Sequence, residues 1–352
     1  MTHLELFKST VEHRGNKEFL FYAEFTPEVD KKIREKYKLD KNVDLRDFFG
    51  IYHRNNIFPE AIQKQKPDFD VYFEDVEKPE GSFINELGVL EIPAKFYHFT
   101  GYISPLRNAK SFSDIQRFPY PSKEFEKVRI KEKIDNVHKE GRVASCFVGH
   151  MYEDSWQVRG YEEFLIDLFE QPQWCEYILD KFAEKNLELA TFLAEAGADV
   201  IATGDDVASQ KAMMFSPSVW RNFLKPRWAK IYSAARKIKP DIQIWYHSDG
   251  NITEIIPDLI EIGITILNPV QPECMSPIEV KKRFGKQLVL DGTIGTQTTM
   301  PFGTPEDIRK VVDEMKKTVG YDGALILAPT HILEPDVSVE NIVAFVKACK
   351  EE

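Results

Sequence analysis

From residue 143 to its carboxyl end, the sequence alternates short apolar runs with longer amphipathic segments, and this alternation restricts the fold more than any other feature. The runs are rich in β-branched or aromatic residues and have the length of buried strands. The segments between them, such as 174–196 and 305–319, have helical periodicity, and Thr304-Pro305-Glu306 resembles a helix start. The six runs are VASCFVG (143–149), DVIATGD (199–205), IQIWYH (242–247), ITILNP (264–269), QLVLDG (287–292) and GALILAP (323–329).

Strands that alternate with helices pair in parallel, because each crossover helix returns the chain to the same end of the sheet. Two further runs, EFLFYAEF (18–25) and DFDVYFE (68–74), bring the strand count to eight, which closes a (β/α)8 TIM barrel. We therefore predict an α/β protein in which residues 1–352 form a single barrel domain. An open doubly wound sheet is the alternative, but no GxGxxG motif follows any of these runs to support a dinucleotide fold.

Residues 75–142 interrupt the alternation. They are rich in proline, glycine and aromatic residues and contain GYISPLRNAKSFSDIQRFPYP. We predict an irregular inserted segment that includes a small hairpin and covers one rim of the barrel.

Charge and hydropathy exclude several classes of partner. The formal net charge is −11, from 57 acidic and 46 basic residues, so we expect the chain to bind neither nucleic acid nor anionic lipid. No run approaches the roughly eighteen apolar residues that span a bilayer, and MTHLELFKST lacks the pattern of a signal peptide. We expect a cytoplasmic protein without a membrane partner. The four cysteines form no CxxC pair, which predicts free thiols.

Polar residues at the ends of the predicted strands are the candidate functional groups, because packed apolar side chains fill the interior of such a barrel. His247 and Asp249 are separated by one residue directly after an apolar run, and His331 follows the last run. We predict that all such residues converge on one mouth. The others are Glu24, Glu74, His150, Asp205, Asp206, Asn268, Gln271 and Asp291.

Several of these residues also have an ordinary structural explanation. Asp205 and Asp206 suit the cap of the helix that follows them. Gly149-His150 and Asn268-Pro269 are residue types that turns favour. The structural and functional explanations both stay open at these positions.

Ordered segments over most of the chain after about residue 80 resemble the uroporphyrinogen decarboxylase superfamily, which includes cobalamin-dependent methyltransferases. The resemblance implies a (β/α)8 barrel and an enzyme, and barrels of this superfamily often form homodimers. The segments that carry it are NELGVLE, ISPLRNAKSFSDIQRFPYP, RGYEEFLIDLFEQP, GDDVASQ, FSPSVWRNFLKPRW, YHSDGNITEIIPDLIEIGITILNPVQPE, DGTIGTQTTMPFGTPEDI and ILAPTHILEPDVSVENIV.

The match to the decarboxylases themselves fails near the first strand. Those enzymes hold a porphyrinogen with many carboxylates through an arginine-rich segment, whereas this region reads EFLFYAEFTPEVDKK and contains no arginine. Glu24 and Glu28 would repel a polyanion. At the position that resembles the decarboxylase serine, GDDVASQ offers Asp206.

The methyltransferases that deliver methyl groups to coenzyme M bind zinc through His-x-Cys after one strand and a distant Cys after the last. Here the first motif is His247-x-Asp249, and Thr330 or His331 lies near the second position. Cys274 lies in a different loop. The resemblance therefore implies a zinc site with nitrogen and oxygen ligands, which polarises a bound oxygen better than a thiolate site does.

Such a site favours a methyl donor whose methyl group is bonded to oxygen. The superfamily includes O-demethylase methyltransferases, which move a methyl group from an aryl methyl ether to a corrinoid. No Asp-x-His-x-x-Gly motif for cobalamin is present in the sequence, so the cobalamin is expected on a separate corrinoid protein.

The resemblance and the strand ends together assign provisional roles. Two alternatives stay open: a decarboxylase or lyase for a small carboxylated substrate, in which His331 and Asp206 act as acid and base, and a non-catalytic partner that docks a corrinoid protein. For the methyltransferase, the expected metal ligands are His247, Asp249 and His331, the catalytic residues are Glu24, Asp206 and His331, and the substrate-binding residues are Phe25, His150, Trp156, Asn268 and Gln271.

Overall fold

The computed structural model describes residues 1–59, 67–93, 100–121 and 127–351. Its strands are β1 (Leu20–Phe21), β2 (Phe83–Ile84), β3 (Leu90–Pro93), β4 (Thr100–Ile103), β5 (Ser145–Gly149), β6 (Val200–Gly204), β7 (Gln243–His247), β8 (Ile266–Asn268), β9 (Val289–Asp291) and β10 (Leu325–Leu327). Its helices are α1 (His3–Val11), α2 (Pro27–Tyr37), α3 (Leu45–Phe49), α4 (Phe112–Arg117), α5 (Lys127–Lys139), α6 (Tyr152–Arg159), α7 (Tyr161–Glu170), α8 (Pro172–Ala196), α9 (Pro217–Phe223), α10 (Lys225–Ile238), α11 (Ile256–Ile262), α12 (Pro277–Phe284), α13 (Thr299–Phe302), α14 (Pro305–Thr318) and α15 (Val339–Lys350).

Seven strands form one parallel sheet in the order β1-β10-β9-β8-β7-β6-β5. All six runs predicted after residue 143 are strands of this sheet, and the run at 18–25 contributes β1. The predicted helices are present as α8 and α14, and α14 begins with a capping box between Thr304 and Asp307. The prediction of an α/β barrel fold is confirmed.

The segment 51–57 occupies the gap between the two edge strands, β1 and β5. The Tyr52 N–H donates to the Phe21 carbonyl (2.8 Å), and the Ile57 N–H donates to the Ser145 carbonyl (3.0 Å). Next to the second of these bonds, the Asn56 side chain takes the place of backbone pairing with the β5 segment. Its Nδ2 donates to the Val143 carbonyl at 2.8 Å, and its Oδ1 accepts the Ser145 N–H at 3.2 Å. Residues 51–57 therefore take the eighth place in the ring.

The prediction that 68–74 forms a strand is wrong. Residues Asp70–Tyr72 form a 3₁₀ helix instead. The Asp68 carboxylate accepts the Asp70 N–H at 3.1 Å, and such a local bond competes with extended pairing. Glu74 consequently follows no strand.

The segment 75–142 contains regular structure. Strands β2, β3 and β4 form a separate antiparallel sheet in that order, and α4 and α5 follow. Elsewhere in the fold, the crossover helices α8 and α10 pack against each other, as do α14 and α15.

The interior of the barrel is filled. A cavity of only about 10 Å³ remains within it, bordered by Tyr52, Arg54, Trp245 and Asp291 among others. This cavity is too small for a substrate, so the candidate site lies at the ends of the strands. Over the described ranges, no helix is both long and apolar enough to cross a membrane, and the four cysteines are free, as predicted.

We expect Asn56→Ala to lower the free energy of unfolding by about 2 kcal/mol, because it leaves one buried donor and one buried acceptor of the barrel without partners. Denaturation midpoints in urea measure the effect. Asn42→Ala is the matched control, since Asn42 is exposed in a surface loop. Equal midpoints for the two variants would show that Asn56 does not help to close the ring.

Candidate active site

Three ionisable side chains meet where β6 and β7 end. Asp206 follows β6, His247 is the last residue of β7, and Asp249 lies two residues further on. One ligand atom of each lies within 4.8 Å of those of the other two. His247 Nε2 is 3.6 Å from Asp206 Oδ1 and 4.0 Å from Asp249 Oδ1. We call this group the Asp206–His247–Asp249 cluster.

Backbone contacts fix the geometry of this cluster. The Asp249 N–H donates to Asp206 Oδ1 (2.7 Å), and the Asp206 N–H donates to Glu153 Oε1 (2.9 Å). Gly204 lets β6 and β7 approach closely, because a Cβ at this position would lie 2.4 Å from the His247 carbonyl oxygen. A side chain at position 204 would therefore push Asp206 away from His247.

Asp249 contains a buried acceptor atom without a donor. Its Oδ1 has no hydrogen-bond partner in the part of the chain that the structure describes. Burial raises the pKa of Asp249; His247 lowers this pKa and Asp206 raises it further. A buried acceptor is costly unless a proton or cation satisfies it. The cluster thus offers one imidazole nitrogen and two carboxylate oxygens to a cation.

A second group of ionisable residues, His150, Glu153 and Asp205, lies beside this cluster. His150 Nδ1 is 2.9 Å from Glu153 Oε1. Burial alone would lower the pKa of His150, but the hydrogen bond and charge of Glu153 outweigh it and raise the pKa to about 10. Burial raises the pKa of Asp205 to about 8, although its Oδ1 accepts the backbone N–H groups of Met151 and Glu153 near the start of α6.

Sequence reasoning missed Glu153. This residue touches both groups, because its Oε1 accepts the Asp206 N–H and contacts His150. The signal was its position three residues after His150, in the first turn of α6.

Buried hydrogen bonds lie behind His247. His247 Nδ1 is 2.8 Å from Asn268 Oδ1, and Asn268 Nδ2 donates to the Tyr22 hydroxyl at 3.0 Å. Asp291 accepts the Tyr22 hydroxyl at 2.9 Å and the Trp245 Nε1–H at 2.7 Å. Burial raises the pKa of Asp291. Asp291 therefore lies inside the barrel and not at its mouth.

Gln271 also has an internal partner. It is buried, and its Oε1 accepts the Gly250 N–H at 2.7 Å. Gln271 thus shapes the loop that contains Asp249.

Glu24 lies on the same side of the barrel and pairs with Arg54, whose Nη2 donates to Glu24 Oε1 at 2.7 Å. Partial burial would raise the pKa of Glu24, but Arg54 and, more weakly, His247 and His331 outweigh it, so the pKa is lowered. A lowered pKa keeps Glu24 ionised and does not suit a proton donor, so a catalytic role for Glu24 stays a prediction. His331 is exposed and acts electrostatically on both Glu24 and Asp249, but it is not one of the residues that form the cluster.

The two aromatic candidates, Phe25 and Trp156, each contact other aromatic side chains. Phe25 packs against Phe49 and borders a cavity of about 470 Å³ that Glu24 also lines. Trp156 contacts the rings of Tyr102 and Tyr161 at centroid distances of 5.9 and 5.4 Å.

The fold and this site define a parallel α/β barrel protein with a histidine-carboxylate cluster at the carboxyl ends of its strands. The family model for uroporphyrinogen decarboxylase (URO-D) matches residues 148–352, which include every member of the cluster. The chain belongs to the uroporphyrinogen decarboxylase family.

Relatives within this family have different names. A methylcobamide:CoM methyltransferase, MtaA, from Methanosarcina barkeri is 33% identical over 186 residues, which cover 53% of this chain and 49% of that protein. A uroporphyrinogen decarboxylase from Prochlorococcus marinus (strain MIT 9211) is 23% identical over 323 residues, 87% of each chain. The chain thus spans about half the length of the methyltransferase that it matches.

A solved structure shares the fold. A methyltransferase from Methanosarcina mazei aligns over 99% of this chain and 98% of its own, with a TM-score of 0.67 and 17% sequence identity. At that identity the likeness concerns the fold alone.

We expect His150 to remain protonated near pH 8 and to titrate near pH 10, because Glu153 stabilises the imidazolium. Since the folded-state pKa is raised, this pair stabilises the fold fully below about pH 6.5, the ordinary histidine value, and the contribution is lost as the pH rises towards 10. NMR titration of the histidine ring protons measures it. His3, whose pKa is lowered mainly by burial, provides an internal contrast. A His150 that titrates below His3 would contradict this expectation.

Proposed function

We propose that this chain is a corrinoid-dependent methyltransferase that takes a methyl group from an oxygen donor, such as an aryl methyl ether, and transfers it to the cobalt of a separate corrinoid protein. The observation that carries the proposal is the Asp206–His247–Asp249 cluster, with its ligand atoms within 4.8 Å of one another. The similarity to a methylcobamide:CoM methyltransferase supports the reaction class.

The cluster suits a divalent cation. Imidazole nitrogen and carboxylate oxygen are both zinc ligands, and Asp249 Oδ1 is a buried acceptor without a donor in the described chain. In the proposal His247, Asp249 and Asp206 hold zinc, and Asp206 takes the place that the sequence suggested for His331. When bound, the metal supplies Lewis acidity that stabilises negative charge on the departing oxygen.

The absence of sulfur among these three residues favours an oxygen leaving group. Thiolate ligands donate electron density and so lower the Lewis acidity of a bound metal. An imidazole and two carboxylates lower it less. In the proposed reaction the donor's C–O bond breaks with its electron pair left on oxygen, and the Co(I) of the corrinoid substrate supplies the electron pair of the new bond to the methyl carbon.

Other charged groups at the mouth act on the leaving oxygen in this proposal. His331 is exposed and near enough to influence the charge of Asp249, so we assign it to donate a hydrogen bond or proton to that oxygen. The His150–Glu153 pair provides a cationic imidazole beside the cluster. Glu24 stays ionised and orients Arg54.

The remaining candidates divide into two groups. Phe25 and Trp156 stay as binding residues for the apolar part of the donor. Asn268 and Gln271 position other parts of the site: the Asn268 side-chain oxygen contacts His247 Nδ1, and the Gln271 side-chain oxygen accepts the Gly250 N–H.

The corrinoid must reach the mouth from outside, because the barrel interior leaves a cavity of only about 10 Å³. A docked corrinoid protein meets this requirement. A porphyrinogen polyanion is disfavoured, because Arg54 is paired with Glu24 and stacked on Tyr22, at 4.5 Å from the ring centroid.

We expect protein purified after zinc-replete expression to contain about one equivalent of zinc, and the variants His247→Ala and Asp206→Ala to lose it, because each removes one of the three ligands. Elemental analysis measures the metal. Asp47→Ala is the matched control: Asp44, Asp47 and His53 also bring ligand atoms together, but Asp47 is already paired with Arg142 at 2.8 Å.

The same preparations test the reaction. With a Co(I) corrinoid protein and an aryl methyl ether, wild type and Asp47→Ala should form methylcobalt, and the two ligand variants should lose at least about a hundredfold in rate, or about 2.7 kcal/mol in the barrier. Wild-type protein that lacks zinc, or that decarboxylates a porphyrinogen instead, would refute the proposal.

We expect Asp249→Cys to retain zinc but to cleave the ether more slowly, because a thiolate at position 249 lowers the Lewis acidity available to the leaving oxygen. Zinc analysis and the rate of methylcobalt formation measure both effects. Asp249→Ala is the companion variant, expected to lose zinc as well as activity. Faster ether cleavage by Asp249→Cys would contradict the preference for an oxygen donor.

A further inference from the structure

The hydrogen bonds behind His247 have a direction that can be read from their chemistry. Trp245 Nε1–H can only donate, so Asp291 Oδ2 accepts it, at 2.7 Å. The Arg54 guanidinium lies over the rings of Tyr22 and Trp245, 4.5 and 4.8 Å from their centroids. Burial opposes ionisation and raises the pKa of Asp291, whereas the Arg54 cation and the hydrogen bonds from Trp245 and Tyr22 act in the opposite direction. With these donors around it, Asp291 is taken as a carboxylate, which has no hydrogen to give.

Asp291 therefore determines the direction of the next bond. A carboxylate can only accept, so the Tyr22 hydroxyl donates its single hydrogen to Asp291 Oδ1, at 2.9 Å. The Tyr22 oxygen is then left to accept from Asn268, which lies 3.0 Å away. The NH2 group of Asn268 must face Tyr22.

The amide of Asn268 passes this direction to His247. With its NH2 group turned towards Tyr22, Asn268 presents Oδ1 to His247 Nδ1 at 2.8 Å. An amide oxygen accepts and cannot donate, so the His247 proton must lie on Nδ1. The lone pair on Nε2 then points to Asp206 and Asp249, 3.6 and 4.0 Å away.

We propose that Asp291 and Tyr22 are positioning residues: through Asn268 they hold the His247 proton on Nδ1 and keep Nε2 available as a ligand. Packing fixes the side chains of Tyr22, Asn268 and Asp291, which are buried. It also fixes the His247 ring, on which the Trp245 ring stacks with an interplanar angle of 15°. The use of Nε2 for zinc rests on the proposed function, whereas the position of the proton does not.

The variant Asp291→Asn is designed to reverse the direction of every hydrogen bond from position 291 to His247. Its carboxamide oxygen still accepts from Trp245, so its NH2 group faces Tyr22 and donates to it. Tyr22 then donates to Asn268 Oδ1, the amide of Asn268 turns round, and its NH2 group donates to His247 Nδ1. The proton of His247 moves to Nε2, and a metal must then displace it to bind there.

The experiment is long-range ¹H–¹⁵N NMR of metal-free protein with ¹⁵N-labelled histidine at alkaline pH, with His247 assigned from the variant His247→Gln. We expect the Nδ1–H tautomer in wild type and the Nε2–H tautomer in Asp291→Asn. Tyr22→Phe interrupts the series of hydrogen bonds without reversing it, so we expect a mixture of the two tautomers in that variant. Tyr232→Phe is the matched control, because it also removes a buried tyrosine hydroxyl, bonded at 2.7 Å to Thr203 instead, and should leave the wild-type tautomer unchanged.

Zinc titration gives a second readout, with affinity expected to fall about 10- to 100-fold in Asp291→Asn and to stay unchanged in Tyr232→Phe. An Nε2–H tautomer in wild type, or an Nδ1–H tautomer in Asp291→Asn, would overturn the inference. Wild type alone tests the first outcome, so an unstable variant does not prevent the test. A wild-type protein with the Nδ1–H tautomer that binds no zinc supports the inference and removes the metal from the proposed function.

Discussion

Parallel pairing around a closed ring is the constraint on which the site depends. Every strand of such a ring ends at the same rim, and the register decides which residues become neighbours there. Gly204 pairs with His247, and His247 pairs with Asn268. Residues that are more than twenty positions apart in sequence thus meet at fixed distances, and the loops that follow them complete the cluster. The filled interior keeps these polar groups at the rim.

The strands that were predicted correctly are those with regular ladders and a helix on each side. The eighth place in the ring was assigned to the wrong segment, because residues 51–57 contribute little regular ladder and include Arg54, Asn55 and Asn56. Pairing through an asparagine side chain leaves no periodic trace in a sequence. The aromatic run at 68–74 resembles a strand more closely, yet Asp70–Tyr72 form a 3₁₀ helix and Asp68 accepts the Asp70 N–H.

The site shows the same division between local and long-range information. His247 and Asp249 were found because both belong to one short motif, and Asp206 because it follows a clear strand. Tyr22 and Asp291 were not linked to His247, since a hydrogen bond between residues 269 positions apart depends on the register of the closed ring. The lowered pKa of Glu24 was not foreseen, because its partner Arg54 comes from the segment that the sequence left unassigned.

The two carboxylates of the cluster differ in how freely they can change. Asp206 has a double role, since its Oδ1 holds the Asp249 backbone in place while it faces His247. Asp249 is held by its backbone, and its side-chain Oδ1 has no partner in the described chain. A substitution at 249 therefore alters the ligand and leaves the loop anchored, whereas a substitution at 206 disturbs both. Under the proposed function, position 249 is where a single residue change would exchange an oxygen ligand for sulfur, and with it the class of methyl donor, without rebuilding the framework.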